Sequence, residues 1–537
     1  MIALVSMKTI RVGILLDSLI APDWLYVALE RIRDLENVNI VAIIRQDPGR
    51  QYEAMSKDPI QILFSSYLFL EQIALKLKPN ALKNKKLLNL FKKVPDIISE
   101  TNTHRLEKLD LDVILDLSTC SGENTYYKYA AICLSIVSPS SWLSSDNQLL
   151  GFMETYEGTL TSQIALRIIT QDGKEFLNNT FTSTNLLSYS RNRNRMLWTA
   201  TQFYPRAIEN IRDFGIKTFL KNASAKNIEG NSEENQKKKP TKLLLAPSKT
   251  IPRFLLKKIR RFLYRDQWSL FYTLDSDYQN AFLKGKPNAI IPSLDRFWAD
   301  PHIIKKDQDH YIFFEELFYK NSKGHIAYFK IDQDGKVGPA RKILEKPYHI
   351  SYPFIFQYQN EYHMIPETAA NDTVDLYQCL EFPQRWKWRK TLLHNLYAMD
   401  TTVLEWDGKW WLFTNIRGHK GASSYDELFL FYAEDLLSET WTPHSGNPII
   451  SDVRSARPAG KIFLSQGKLY RPSQDSSVRY GYGVKINQID ILSETEYQES
   501  LVEFIQPLWE KDLVATHTFS TTGELTIMDA AIRRRKF

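Results

Sequence analysis

Cysteine is scarce: Cys120, Cys133 and Cys379 are the three in 537 residues, far apart and odd in number. That excludes a disulfide framework and a zinc knuckle, and it fits a reducing compartment. No apolar run approaches the roughly 18 residues of a membrane-spanning helix. The start, MIALVSMKTIRVGILLDSL, is interrupted by Lys8 and Arg11 and is followed by no small-residue cleavage site. It reads as a buried strand rather than a signal peptide, and a cytoplasmic location is expected. No G-x-G-x-x-G follows Leu16, so the dinucleotide fingerprint of a redox enzyme is missing. No cofactor and no metal is expected. A broad basic face is missing too. Net charge is +7, but residues 237–265 alone carry eleven Lys and Arg and no acid, leaving −4 for the rest. A nucleic-acid partner is therefore not expected.

What is present is ordinary globular composition, 43% hydrophobic and 24% charged. The length exceeds one core and implies two or three domains. Nine of the 12 Trp follow residue 266, so the two halves are different kinds of domain.

Residues 1–220 alternate apolar strands (10–16, 38–44, 111–117, 131–138) with helical spacing at 24–32, 60–77, 82–91 and 190–213. This order predicts an α/β domain with a parallel sheet. Residues 221–250 read as a flexible basic linker. Residues 251–265 read as a basic amphipathic helix, with Ile251, Phe254, Leu255, Ile259, Phe262 and Leu263 on one face. Its shortness and the strand directly after it favour packing on the next domain, with the Lys and Arg in water. Peripheral docking on an anionic membrane is the alternative.

From 266 to 537 the pattern turns to short strands. ADPHII, SYPFIF, DTTVLEW, RPAGKIF and THTFST recur at about fifty-residue intervals, each followed by a second strand. Five such units predict a five-bladed β-propeller, with QWSLFY at 267–272 as the last strand of the fifth blade, closing the ring. The fold class is thus α/β plus all-β.

In a propeller the inner strands converge on the axis, so matching polar positions meet: Asp300, Tyr352, Asp400, Arg457 and His517. The second strands end in Glu315 and Glu316, Glu367, Asn415, Asp475 and Asp529. A carboxylate ring of this kind suits sugar chemistry, because close carboxyl groups divide acid and base roles. Asp300, Asp400 and Glu367 are the candidate catalytic residues. Tyr352, Asn415, Arg454, Arg457, Asp475 and His517 are the candidate binding residues. Arg454 and Arg457 suggest an anionic sugar such as a sugar phosphate or nucleotide sugar; the opposing reading pairs both with the axial acids. If the segment is extended, alternation brings only one of them to the axis, and Arg457, which directly precedes the inner strand, is the one expected; a turn at Ser455–Ala456 would bring both. A buried Arg457 beside Asp300 and Asp400 is expected to keep both ionised, which leaves Glu367 as the proton donor.

RFWADPHIIKKDQDHYIFFEE and MDTTVLEWDGKWWLF resemble the five-bladed propellers of glycoside hydrolases that cleave arabinans, xylosides and fructans. RFWADP, SYPFIF, MIPET, ARPAG and RPSQD together resemble the N-terminal propeller of plant glucosamine inositolphosphorylceramide transferases and bacterial relatives, over residues 267–530. The hydrolase likeness implies a base or nucleophile at Asp300 and an acid-tuning role at Asp400. The hydrolase general acid, a Glu in E-G-P, is replaced in ARPAG by Ala456 or Arg457, with Glu367 or Asp475 as substitutes.

LDVILDLSTCSGENTYYKYAAICLSIVSPSSW and YEGTLTSQIALRIITQDGKEFL are similar to the Rossmann-like domain of formyltransferases that use formyl-tetrahydrofolate. That family needs Asn-x-His and a later Asp, which here fall at Ser135, Val137 and Asp172. Valine transfers no proton, so the likeness implies a degenerate domain with a structural or binding role. The expected function is carbohydrate-active, in glycan or glycolipid assembly, with a sugar as partner and glycosyltransferase-like or glycoside-hydrolase-like chemistry. The alternative is a non-catalytic sugar-binding or scaffolding protein.

Overall fold

Five parallel strands lie in the order Asp96–Ser99, Val38–Arg45, Ile10–Leu16, Leu111–Asp116, Ala130–Val137, extended by Thr161–Thr170 and Glu175–Ser183. A computed structural model describes residues 9–45, 59–91, 95–99, 103–118, 125–138, 149–226, 240–275, 282 and 286–536. Cys120 and the Lys237–Lys239 run lie outside them. The chain divides into two units, Met1–Leu256 with Gly418–Ser423, and Lys257–Arg417 with Ser424–Phe537.

The sheet of the first unit is parallel through Ala130–Val137; its last two strands are antiparallel. The short QDGK turn between them cannot make a crossover, so it can only deliver an antiparallel neighbour. The stretch 82–91 is not a helix. Asn84–Lys86 pairs with Ile20–Pro22, and Leu87–Leu90 is a 3₁₀ turn that buries Leu87 and Leu90. Their i, i+3 spacing suits that turn as well as an α-helix. Helices follow the hairpin over Tyr189–Ala200 and Phe203–Lys226, the latter broken by a kink at Gly215, where φ is +80°, so 221–226 continues a helix.

Ser135, Val137 and Asp172 are not gathered. Val137 stands opposite Ala165, whereas Asp172 lies in the turn beyond Thr170, which stands opposite Ile132. Five residues of strand separate those levels, about 17 Å. Asp172 is in water with Thr170 and Lys174 as its partners, and His104 is likewise exposed, beside Glu107.

The second unit is a five-bladed propeller. Four blades are Arg296–Leu344, Ser351–His394, Ala398–Ser451 and Phe463–Ile505. The fifth combines Leu513–Ala515, Phe519–Thr521 and Thr526–Arg535 with Tyr264–Thr273 and Asn288–Ile290. Tyr264–Thr273 is the third strand of that blade, not its last; Asn288–Ile290 lies outside it. Strands from both ends of the repeat thus close the ring.

Each strand presents alternate residues to the two neighbouring blades. Phe313 and Ile326 meet Ile355 and Met364; Phe354 and Ile365 meet Val403 and Leu412. Phe413 and Leu430 meet Ile462 and Leu469; Val484 and Ile486 meet Phe271 and Met528. Leu270 and Ile527 meet Ile312 and Phe314, completing the circle. At about 1.5–3 kcal/mol per large buried side chain, these seams hold the inner strand ends rigidly around the axis.

The basic segment forms a helix, Ala246–Leu263. Its apolar face was expected to be packed and is exposed. Ile251, Leu255, Ile259 and Phe262 are 52–67% exposed. The buried side is instead Ala246 and Thr250. Tyr189 donates to the Ala246 carbonyl at 3.2 Å, and the Tyr67 and Thr250 hydroxyls lie 2.9 Å apart. Among the described residues no helix is long and apolar enough to cross a membrane.

Candidate functional site at the propeller mouth

In three successive blades the ladder between the first two strands slips at the same point, after Ala299, Ser351 and Met399. The next residue is left-handed each time: Asp300 at φ +54°, Tyr352 at +43° and Asp400 at +50°. Such conformations cost about 1–3 kcal/mol each in non-glycine residues and persist where the surroundings over-determine them. Here the backbone is held blade to blade. Asp529 accepts from the Asp300 N–H at 3.0 Å, and Asp300 accepts from the Tyr352 N–H at 3.2 Å. The repeated bulge turns three side chains toward one centre.

Two linked groups form there. In one, His517 Nδ1 is 2.6 Å from Asp529 Oδ2, and Nε2 is 3.5 Å from Asp300 Oδ1. Thr518 donates to Asp300 Oδ1 at 3.0 Å. Burial alone would lower the His517 pKa, but Asp529 and Asp300, between which the ring stands, raise it. Asp300, His517 and Asp529 also offer ligand atoms within 4.8 Å of one another, the one such trio among the described residues. In the second group Arg457 grips Asp400 through Nε at 2.5 Å and Nη2 at 3.1 Å, and reaches Glu367 at 3.4 Å. Gln474 adds a 2.8 Å bond to Asp400.

Burial, reinforced by neighbouring carboxylates, pushes Glu315 and Glu367 well above the usual carboxylate range; Arg457 offsets this only partly at Glu367. Arg457 was expected to keep Asp300 ionised. It spans Asp400 and Glu367 instead, and burial, with Asp400 and Asp529 adding to it, lifts Asp300 to about 6. The cluster therefore holds carboxyl groups whose burial favours the protonated form beside groups that accept hydrogen bonds, the division of labour that acid–base catalysis needs.

Because the folded pKa of Asp300 exceeds its unfolded value, its contribution to stability is full below about pH 4 and is lost as pH rises through about 6. Asp300→Asn, which does not ionise, should gain on the wild type across that window by on the order of 1–3 kcal/mol. Urea midpoints of both proteins at each pH check this; a constant difference would contradict it.

Aromatic rings wall the mouth. Trp268 stacks on His517 at 4.2 Å, and the Tyr480 ring meets His517 edge-on at 5.2 Å. The Arg457 guanidinium lies 5.2 Å from Tyr480 and 5.5 Å from Tyr425. Two glycines permit these approaches. A Cβ on Gly460, at φ +142°, would lie 1.9 Å from the Phe519 carbonyl oxygen, and one on Gly481 would lie 2.6 Å from the His517 Cβ. The glycine of ARPAG is thus a close-packing requirement between the fourth and fifth blades.

Residues 286–517 match the family described as glucosamine inositolphosphorylceramide transferase 1, N-terminal. Among curated proteins, glucosamine inositolphosphorylceramide transferase 1 of Arabidopsis thaliana is 34% identical over 220 residues, which is 40% of this chain and 28% of that protein. The protein of the same name from Oryza sativa subsp. japonica is 34% identical over 206 residues, 38% of this chain and 27% of that protein. The chain thus spans less than a third of these relatives. Among solved structures, Zg3597, a family 117 glycoside hydrolase of Zobellia galactanivorans, aligns at 11% identity and TM-score 0.33, over 50% of this chain and 90% of its own. The α-L-arabinofuranosidase PaAbf62A of Podospora anserina aligns at 11% identity and TM-score 0.34, over 44% and 90%.

The propeller brings Asp300, Tyr352, Asp400, Glu367, Arg457 and His517 together. Four other residues singled out in the sequence do different things. Arg454 is bonded to Asp452, with Nε 2.8 Å from Oδ1. Asp475 is held in its own turn by Ser477 at 2.6 Å and Lys485 at 3.1 Å. Asn415 is buried opposite Met399 with neither amide atom hydrogen-bonded to a described residue. Glu316 sits with His325, Trp298 and Arg296, whose hydrogen bonds overcome burial and hold it at about 2. Trp268, Tyr480 and Gln474 escaped the sequence reading. Gln474 stands in RPSQD beside Asp475, and neighbours on a strand face opposite ways, so choosing the acid meant choosing the wrong face. Trp268 was legible only as part of the closing strand.

Proposed function

We propose that the propeller mouth binds a sugar and carries acid–base chemistry on it, in glycan or glycolipid assembly. The observation that carries this reading is the convergence of left-handed Asp300, Tyr352 and Asp400 on a buried acidic cluster walled by Trp268, Tyr425 and Tyr480. Aromatic faces and carboxyl groups are the two surfaces a pyranose uses, its C–H face and its hydroxyls. Glu367 and Glu315 are the proton donors of choice, and Asp300 is the group that exchanges a proton near pH 6.

The ligand expected from the two arginines, an anionic sugar, fits this mouth poorly. The Arg457 fork is committed to Asp400 and Glu367, and that of Arg454 to Asp452. Arg457 and His517 are both committed to carboxyl groups of the cluster, which leaves no cation there, among the described residues, to meet an anion, so a neutral or amino sugar suits the mouth better. Glucosamine, named in the description of the relatives, carries an ammonium group that such a site attracts.

A thermal-shift panel of glucosamine, N-acetylglucosamine, glucose 1-phosphate and UDP-glucose tests this. The amino and neutral sugars should raise Tm; a rise with the phosphorylated compounds alone would overturn the ligand class, and no rise at all would overturn the site. A second reading, sugar binding without turnover, is favoured by Arg457 standing where the hydrolase likeness requires an acid. Product analysis with the bound sugar separates the two.

A further inference from the structure

We propose that the helix Ala246–Leu263 lies on an anionic lipid bilayer, with its exposed apolar face in the headgroup–acyl boundary. The inference rests on the helix and is independent of the sugar site. Ile251, Leu255, Ile259, Phe262 and Leu263 are 41–67% exposed. At 100° per residue they occupy one arc of about 120°. A soluble protein rarely leaves such a stripe in water.

The remaining sides tell what the stripe meets. Ala246 and Thr250 dock on the first unit, so the stripe faces away from that contact. Lys257, Lys258, Arg260 and Arg261 flank the stripe or lie opposite it, and residues 237–265 carry eleven bases and no acid. An apolar arc bordered by an unbroken basic charge matches a bilayer surface bearing anionic headgroups. The neighbouring helix Pro59–Leu75, joined to this one through Tyr67 and Thr250, has its own exposed apolar stripe of Ile62, Phe69, Leu70 and Ile73.

The test is co-sedimentation of the full chain with vesicles of phosphatidylcholine alone and of phosphatidylcholine with about 30% phosphatidylglycerol, at low and at high salt. Binding should be at least about tenfold stronger to the anionic vesicles and weaken with salt. The double variant Leu255→Glu with Ile259→Glu should lose about tenfold or more, and Arg260→Gln with Arg261→Gln a similar factor on anionic vesicles alone. These side chains are exposed, so Tm of each variant should match the wild type. Equal or absent sedimentation with both vesicle types would overturn the proposal. So would a dimer, seen by analytical ultracentrifugation, that the Leu255→Glu with Ile259→Glu variant dissolves, because a second copy would then be what covers the stripe.

Discussion

Replacing Arg457 by alanine should cost about 3–5 kcal/mol of stability at neutral pH, the usual penalty for leaving a buried carboxylate without its cation. Asp400 is 2% exposed, and Arg457 bonds it twice, with Gln474 as its other donor. Asp400→Asn in the same background should recover much of the loss, since it removes the buried charge that Arg457 serves. Denaturant titrations of the single and double variants decide it. A loss under about 1 kcal/mol for Arg457→Ala would mean that water, not Arg457, satisfies Asp400.

Arg471→Ala should destabilise as strongly, by about 3–5 kcal/mol, without touching the mouth. Arg471 is 1% exposed and donates to both Glu499 oxygens and to the Ser455 carbonyl, each at 2.7 Å. It ties the second strand of the fourth blade to the outermost one and to the segment leading into ARPAG. The two arginines thus separate stability from recognition. Both variants should be less stable, but only Arg457→Ala should change affinity for a sugar, as read by calorimetry on the folded fraction. A sugar affinity altered equally by both would place Arg471 in the site.

Much of this architecture is legible in the sequence because the propeller repeats. ADPHII, SYPFIF and DTTVLEW align by eye, and alignment alone puts Asp300, Tyr352 and Asp400 at one level. Repetition also located Arg457, since ARPAG occupies the same place in its unit. The features that resisted are those repetition does not encode. The outermost strand of the fifth blade, Asn288–Ile290, has three residues and no hydrophobic run. The hairpin of the first unit ends in Glu175–Ser183, whose apolar residues are Phe176, Leu177 and Phe181 alone, and only the short turn before it declares its direction. The exposed stripe of Ala246–Leu263 has the periodicity of a packed helix; periodicity shows that a face is apolar, not what covers it. Asp300 was read as ionised because an arginine was near in sequence pattern, whereas the fold gives that arginine to Asp400 and Glu367 and leaves Asp300 to burial.

The central claim, that a sugar sits in the propeller mouth, is tested most directly by calorimetric titration of the sugar that raises Tm into the wild type, Trp268→Ala and Asp300→Asn. The wild type should bind it, Trp268→Ala should weaken it by about tenfold through loss of the aromatic wall, and Asp300→Asn should weaken it by a comparable factor while remaining folded. Affinity unchanged in both variants would contradict the account, because the ligand would then be bound somewhere other than the axis on which Asp300, His517 and Trp268 converge.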